Sequence, residues 1–160
     1  MKNVLVTGAS GFIGKTLIEA LTKIGIKVIA LARHFDEELS GNCLVECIDV
    51  SGVSVSELAK ILPTAEYDCM FHLAWAGTSG PTRASYEIQL DNVKMSCQYI
   101  ELANAINCKR VIYASSINEM ETYEYLQSDN IEPSGGYIYG TGKLAAHLMG
   151  ETVAKMNNVE

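Results

Sequence analysis

Tyr139 and Lys143 stand four residues apart near the end of the chain and could run acid–base chemistry together. On a helix, positions i and i+4 share one face, so a phenol and an ammonium so placed serve a single site. A phenol with an ordinary pKa of about 10 is a poor base at neutral pH. A nearby cation favours the phenolate and brings it into working range. Upstream, Val111-Ile112-Tyr113-Ala114-Ser115-Ser116 ends an apolar run on two hydroxyls. Beside the Tyr–Lys pair one of them could bind a substrate oxygen; elsewhere such serines are turn residues that bond to nearby backbone. At the other end of the chain, Thr7-Gly8-Ala9-Ser10-Gly11-Phe12-Ile13-Gly14 follows the apolar run Val4-Leu5-Val6. Glycine permits a tight turn and close approach of the backbone to a pyrophosphate, and a following helix aims free N–H groups at the anion. The glycines are spaced three and three, against the two and three of GxGxxG.

These groups need elements to carry them, and the chain alternates apolar runs with amphipathic stretches. Strands are expected at Val4–Thr7, Val28–Ala32, Leu44–Ile48, Cys69–Ala74 and Arg110–Ala114. Val28–Ala32 shows no polar alternation, as expected of a strand covered on both faces. Helices are expected over Phe12–Ile24, stopped by Gly25, over Val55–Leu62, stopped by Pro63, and over Tyr86–Ile106 and Tyr137–Met156. Gly77–Pro81 and Asn118–Gly136 read as long irregular stretches after strand ends, where open α/β sheets bind ligands. The pattern predicts an α/β fold, a Rossmann-type doubly wound parallel sheet of about five strands with helices on both faces.

The bulk properties agree with one globular domain. Of 160 residues, 48% are hydrophobic and 19% charged. A net charge of -7 argues against a nucleic-acid partner, since phosphate neutralisation needs clustered Lys and Arg. No apolar stretch approaches a bilayer span, so no membrane partner is expected. The N-terminal apolar run breaks at Thr7 and Gly8 and reads as a buried first strand in preference to a signal peptide. Cys43, Cys47, Cys69, Cys97 and Cys108 lack metal-ligand spacing, so no metal site is expected. They read as reduced thiols filling the core, which suits the cytoplasm. His72, inside an apolar strand with no carboxylate nearby in sequence, reads as a structural core histidine.

At the end of the second strand an acid would hold the ribose 2′-hydroxyl of NAD, whereas an Arg would accommodate the 2′-phosphate of NADP. The chain has Ala32-Arg33-His34 and no acid before Asp36, so NADP is favoured over NAD.

Together these motifs resemble the short-chain dehydrogenase/reductase superfamily, in its extended branch of nucleotide-sugar epimerases, dehydratases and reductases. Phe71-His72-Leu73-Ala74 is similar to the branch's fourth-strand signature, and Asp91-Asn92-Val93 to the start of its long central helix. The resemblance implies that Tyr139 is the acid/base and that Lys143 binds the nicotinamide ribose and lowers the phenol's pKa. Ser116 would share the substrate oxygen with Tyr139, and Ser115 would lie nearer the nicotinamide. It assigns to the cofactor Gly8, Ser10, Gly11, Phe12, Ile13 and Gly14, then Arg33, Asp49 and Val50 near the adenosine. Leu73, Ala74, Trp75, Asn92 and Ser115 complete that set with Tyr139 and Lys143. Trp75 and the loop Ala76–Gly80 would also line a substrate cleft. The implied activity is hydride transfer at a carbon of a nucleotide-linked sugar, as an epimerase or ketoreductase. A homodimer through helices 86–106 and 137–156 is implied as well.

Two departures shape the expectation. Dehydratases of the branch follow the site hydroxyl with an acidic pair, and here Ser116 is followed by Ile117-Asn118, with acids at Glu119 and Glu121. That disfavours a 4,6-dehydratase unless Glu119 substitutes for the pair. The chain also ends at Glu160, so residues 1–160 are expected to form the NAD(P)-binding domain, truncated before the substrate-binding lobe. A non-catalytic NADP(H)-binding or sensor module is the alternative from another class; such proteins typically lose the Tyr or the Lys, and this chain retains both.

Overall fold

The structure is a computed structural model that describes every residue except Asn130, Ile131 and Pro133. Five strands alternate with helices along the described chain: β1 (Asn3–Thr7), α1 (Phe12–Lys23), β2 (Lys27–Ala32), α2 (Glu37–Ser40), β3 (Val45–Asp49), α3 (Val55–Ile61), β4 (Cys69–His72), α4 (Tyr86–Ala105), β5 (Val111–Tyr113), α5 (Asn118–Leu126) and α6 (Gly135–Met156). A single 3-10 turn, Pro81–Ala84, precedes α4. The sheet is parallel throughout, in the order β3-β2-β1-β4-β5. The chain winds outward from β1 to β3 and then returns to the other side of β1. The direction therefore reverses between β1 and β4, and ligands of such sheets bind in the crevice at that point.

Strand residues divide between two cores. Val4, Val6, Val28, Ala30 and Cys69 pack with Ile18 and Leu21 of α1. Leu5, Ile29, Leu31 and Met70 point the opposite way and pack with Leu58 of α3 and Tyr99, Ile100 and Ala103 of α4. Val153 and Ala154 of α6 join this second cluster. Both sheet faces are thus covered, which is why the strands read as unbroken apolar runs. Among the described residues no helix is long and apolar enough to cross a membrane.

The structure corrects several boundaries. Asn118–Leu126, expected to be irregular, is the helix α5; it contains neither Gly nor Pro and carries Glu119 and Glu121 in its first turn, where they favour the helix dipole. The one-turn helix α2 is capped by Asp36, whose carboxylate accepts from Leu39 N–H at 3.0 Å. β4 stops at His72, short of Ala74, because Leu73 and Ala74 turn their N–H groups to the Thr7 hydroxyl. The cysteines are all free, but only Cys69 and Cys108 are buried; Cys43 is exposed.

Candidate active site

The glycine turn is built for close backbone approach. Gly8 has φ +66, which L side chains rarely adopt, and a Cβ there would meet Ala74 N and the Leu73 carbonyl carbon, each at 2.8 Å. A Cβ on Gly14 would drive into the Gly8 carbonyl and lie 2.8 Å from the Ala9 oxygen. Gly11 N–H closes the turn on Gly8 O at 3.0 Å, and Gly11 then N-caps α1. No side chain caps the first turn of α1 and no acid stands in it, so its N–H groups are left for an anion. Ser10 and Gly11 are exposed beside Phe12 and Ile13, which are 90% and 62% exposed. These features fit a dinucleotide pyrophosphate on the turn.

The neighbouring strand ends extend the crevice. Ala32 and Asp49 pair across β2 and β3, and Val50 N–H bonds to Ala32 O at 3.0 Å. Asp49 is turned to its own loop, accepting from Ser51 N–H at 2.8 Å. Hydrogen bonding to Ser51 holds its carboxyl below the usual range. Arg33 is exposed at the end of β2. Asp36, the nearest acid in sequence, is taken up by an ion pair with Lys15 and by the α2 cap.

At the end of β1 a buried polar chain locks the crevice floor. The Thr7 hydroxyl lies 2.8 Å from His72 Nδ1 and accepts from Leu73 and Ala74 N–H. His72 Nε2 lies 3.1 Å from Ser96 Oγ, which donates to the Asn92 carbonyl at 2.9 Å. Because Thr7 and Ser96 each have one proton, the chain is consistent only with a neutral ring protonated on Nε2. Burial agrees, pushing the His72 pKa down to about 3. His72 is therefore structural, as its apolar strand implied.

Asn92 and Gln89, on one face of α4, fasten the loop after β4. Asn92 accepts from Ala76 N–H at 2.9 Å and donates to Ala76 O at 2.8 Å. Gln89 Oε1 accepts from Trp75 Nε1 at 2.9 Å. Trp75 then lies edge-on to Tyr139, ring centroids 6.2 Å apart.

Tyr139 and Lys143 are both buried on α6. Lys143 Nζ donates to Ala114 O at 2.8 Å and sits 3.7 Å from the centroid of the Trp75 ring. Burial pushes its pKa down to about 8, against the upward pull of Glu119. Tyr139 is covered on one face by the Arg83 guanidinium, 4.1 Å from its centroid. Arg83 also donates to Asn118 Oδ1 at 2.8 Å, and that same oxygen accepts from Ser116 Oγ at 3.2 Å. Tyr139 and Ser116 are thus linked through Arg83 and Asn118, while Ser115 is exposed beside them.

The structure brings the glycine turn, Leu73–Trp75, Ser116, Tyr139 and Lys143 to one end of the sheet. Arg33, Asp49 and Val50 lie along the same end, toward the β3 edge. Asn92 spends its amide on the Ala76 backbone, so it shapes the loop. Arg83, Gln89 and His147 were not singled out by sequence, and Glu119 was named there only as a substitute for the acidic pair of the dehydratases. Gln89 and Asn92 share a helix face, and His147 continues the four-residue spacing of Tyr139 and Lys143; these spacings were the available signals.

Residues 4–160 match the family model described as the NAD dependent epimerase/dehydratase family. The chain belongs to this family.

Its relatives agree with that assignment. The chain is 30% identical over 123 residues to dTDP-6-deoxy-L-talose 4-dehydrogenase (NAD(+)) of Aggregatibacter actinomycetemcomitans, covering 74% of this chain and 43% of that protein. It is 28% identical over 130 residues to CDP-abequose synthase of Salmonella muenchen, covering 79% of this chain and 42% of that protein. The solved structure of MoeE5 in complex with UDP-glucose and NAD aligns with TM-score 0.72 and 25% identity, over 99% of this chain and 51% of that one. UDP-N-acetylglucosamine 4-epimerase from Bacillus cereus aligns with TM-score 0.74 at 22% identity, over 99% and 51%, and shares the fold. The chain thus spans less than half the length of these curated relatives. As a member of the epimerase/dehydratase family, it carries a Rossmann-type parallel sheet in its described residues.

Proposed function

We propose that the chain is the cofactor-binding part of an enzyme that moves hydride between a nicotinamide dinucleotide and a carbon of a nucleotide-linked sugar, as an epimerase or ketoreductase. The observation that carries this is the convergence of Ser116, Tyr139 and Lys143 at the sheet end that holds the glycine turn. The bound nicotinamide would supply hydride donation and acceptance. Gly8, Ser10, Gly11, Phe12, Ile13 and Gly14 would hold its pyrophosphate on the α1 N-terminus, and Leu73, Ala74, Trp75 and Ser115 would line the nicotinamide end.

In this account Tyr139 exchanges a proton with the sugar hydroxyl or carbonyl oxygen. Ser116 shares that oxygen, its own hydroxyl positioned by Asn118. Lys143 supplies positive charge on the same helix face and reaches the ribose hydroxyls once Trp75 yields its place over the ammonium. Ordering of the Trp75–Gly80 loop by Gln89 and Asn92 supports its assignment to the cleft wall.

The preference for NADP rests on exposed Arg33 and on the engagement of Asp36 by Lys15. The talose dehydrogenase and the MoeE5 complex are both NAD proteins by name, so the preference for NADP rests on this chain's own residues. Burial of Glu119 against His147 supports leaving 4,6-dehydration aside. Exposed Leu90 on α4 and Leu148 and Met149 on α6 support a homodimer through these helices.

The test is incubation of the whole protein with NADPH or NADH and CDP-, dTDP- and UDP-linked sugars or keto-sugars, with products separated by chromatography. Conversion of a nucleotide-linked sugar is expected. Tight cofactor binding with no conversion of any of them would favour the sensor reading.

A further inference from the structure

Among the described residues, the buried set holds one carboxylate, Glu119, and one ammonium, Lys143. A charge withdrawn from water needs compensation, and removing one partner of a buried pair costs more than removing both. Glu119 enters from the first turn of α5 and Lys143 from the middle of α6. Glu119 Oε2 accepts from His147 Nδ1 at 2.9 Å, and His147 is one helical turn beyond Lys143. The other oxygen, Oε1, is buried with no hydrogen-bond partner. The Tyr113 hydroxyl is buried without a partner too, and its ring lies 4.8 Å from the Lys143 nitrogen.

We propose that Glu119, held in place by His147, is the counter-ion of Lys143, a positioning residue that keeps the ammonium charged beside Tyr139. The Ala114 carbonyl and the Trp75 ring favour the ammonium as neutral partners, and among the described buried groups only Glu119 offers it a negative charge. From β4 and the loop after it come neutral His72 and the Trp75 ring; from β5 and the loop after it come the Tyr113 ring and the Ala114 carbonyl, which accepts from Lys143 at 2.8 Å; from α6 come the Tyr139 phenol and His147. The cations nearby, Arg83 over Tyr139 and His147 when protonated, oppose a charged Lys143. Burial drives the Lys143 pKa down, and Glu119 opposes that fall. The charge of Glu119 also adds to burial in pushing the Tyr113 phenol up, and its bond to His147 raises that imidazole. The importance of this charge for the reaction rests on the Tyr139–Lys143 reading above, whereas the pairing itself does not.

The pairing is tested by NMR titration of the 160-residue chain labelled with 13C and 15N at the lysine side-chain termini, the Lys143 signal being assigned with K143M. The expected midpoint is about 8 in the wild type, and about one unit lower in E119Q, the size of a neighbouring-charge effect. E119D should restore most of the shift. An unmoved midpoint in folded E119Q would overturn the pairing. If E119Q does not fold, the E119Q/K143M double variant decides: with neither charge buried it should fold and melt higher than E119Q, and failure to do so would overturn the pairing. In the whole protein, E119Q should move the alkaline limb of the kcat/KM profile down with the Lys143 midpoint. A moved midpoint with an unmoved profile supports the pairing and counts against the assigned role of Lys143 instead.

Discussion

The Lys143 ammonium lies 3.7 Å from the centroid of the Trp75 indole, and Trp75 is the only tryptophan in the chain. A cation over an indole face is attracted by the ring quadrupole, so the emission of this residue reports directly on the site. Titration with NADPH is expected to quench Trp75 emission saturably, because reduced nicotinamide absorbs where indole emits. K143M should alter the emission of the free chain and weaken binding. Saturable binding by calorimetry with unchanged Trp75 emission would contradict the placement of Trp75 at the nicotinamide end.

Gly14 packs against the backbone of its own turn, so G14A has no side chain to push aside. Overpacking there should cost about 1–3 kcal/mol, read as a lower urea midpoint. NADPH affinity should fall with it, since the Gly8 carbonyl must move. A variant with wild-type stability and affinity would show that the turn is looser than the contacts around Gly14 indicate.

His72 makes stability depend on pH. Its folded pKa is about 3 against 6.5 for a free imidazole, so the unfolded chain binds the extra proton between these values. Stability is therefore retained above 6.5 and lost as pH falls toward 3, with a limiting slope of about 1.4 kcal/mol per pH unit. His147, raised by Glu119, contributes in the opposite sense and above that window. Denaturation between pH 6.5 and 4.5 should show a loss of about 2–3 kcal/mol from His72 in the wild type. H72Q should be less stable at pH 7 and flatter across this range; an equal slope would contradict the buried neutral ring.

Arg33 is predicted to act on one cofactor only. Losing a charge-assisted contact worth about 1.5–3 kcal/mol, R33A should weaken NADPH binding at least about 10-fold and leave NADH nearly unchanged. Fluorescence titration with both cofactors checks this. Tighter binding of NADH by the wild type would overturn the preference for NADP.

The sheet and its winding were legible because Val4–Val6, Val28–Ala32 and Cys69–Phe71 are buried on both faces and carry no polar alternation. The glycine turn and the Tyr139–Lys143 pair were legible because each is a local pattern. Contacts between distant segments were not. Nothing in the local sequence places Arg83 over Tyr139 or Glu119 against His147; both depend on how the 3-10 turn, α5 and α6 come together. The helix α5 was missed although Ile117, Met120, Tyr123 and Leu126 recur at three-residue spacing, because the Ser-Gly-rich sequence that follows makes one irregular stretch of 118–136. The end of β4 was misjudged because the Thr7 hydroxyl, 66 residues away from Leu73, draws the backbone out of the ladder.

Tyr139 is the proposed acid/base of a hydride-transfer site, and replacement of its hydroxyl alone tests that claim. Y139F in the whole protein, assayed with NADPH and the nucleotide-linked sugar that the wild type converts, is expected to abolish turnover while cofactor affinity stays close to wild type. Undiminished turnover by Y139F would contradict the claim.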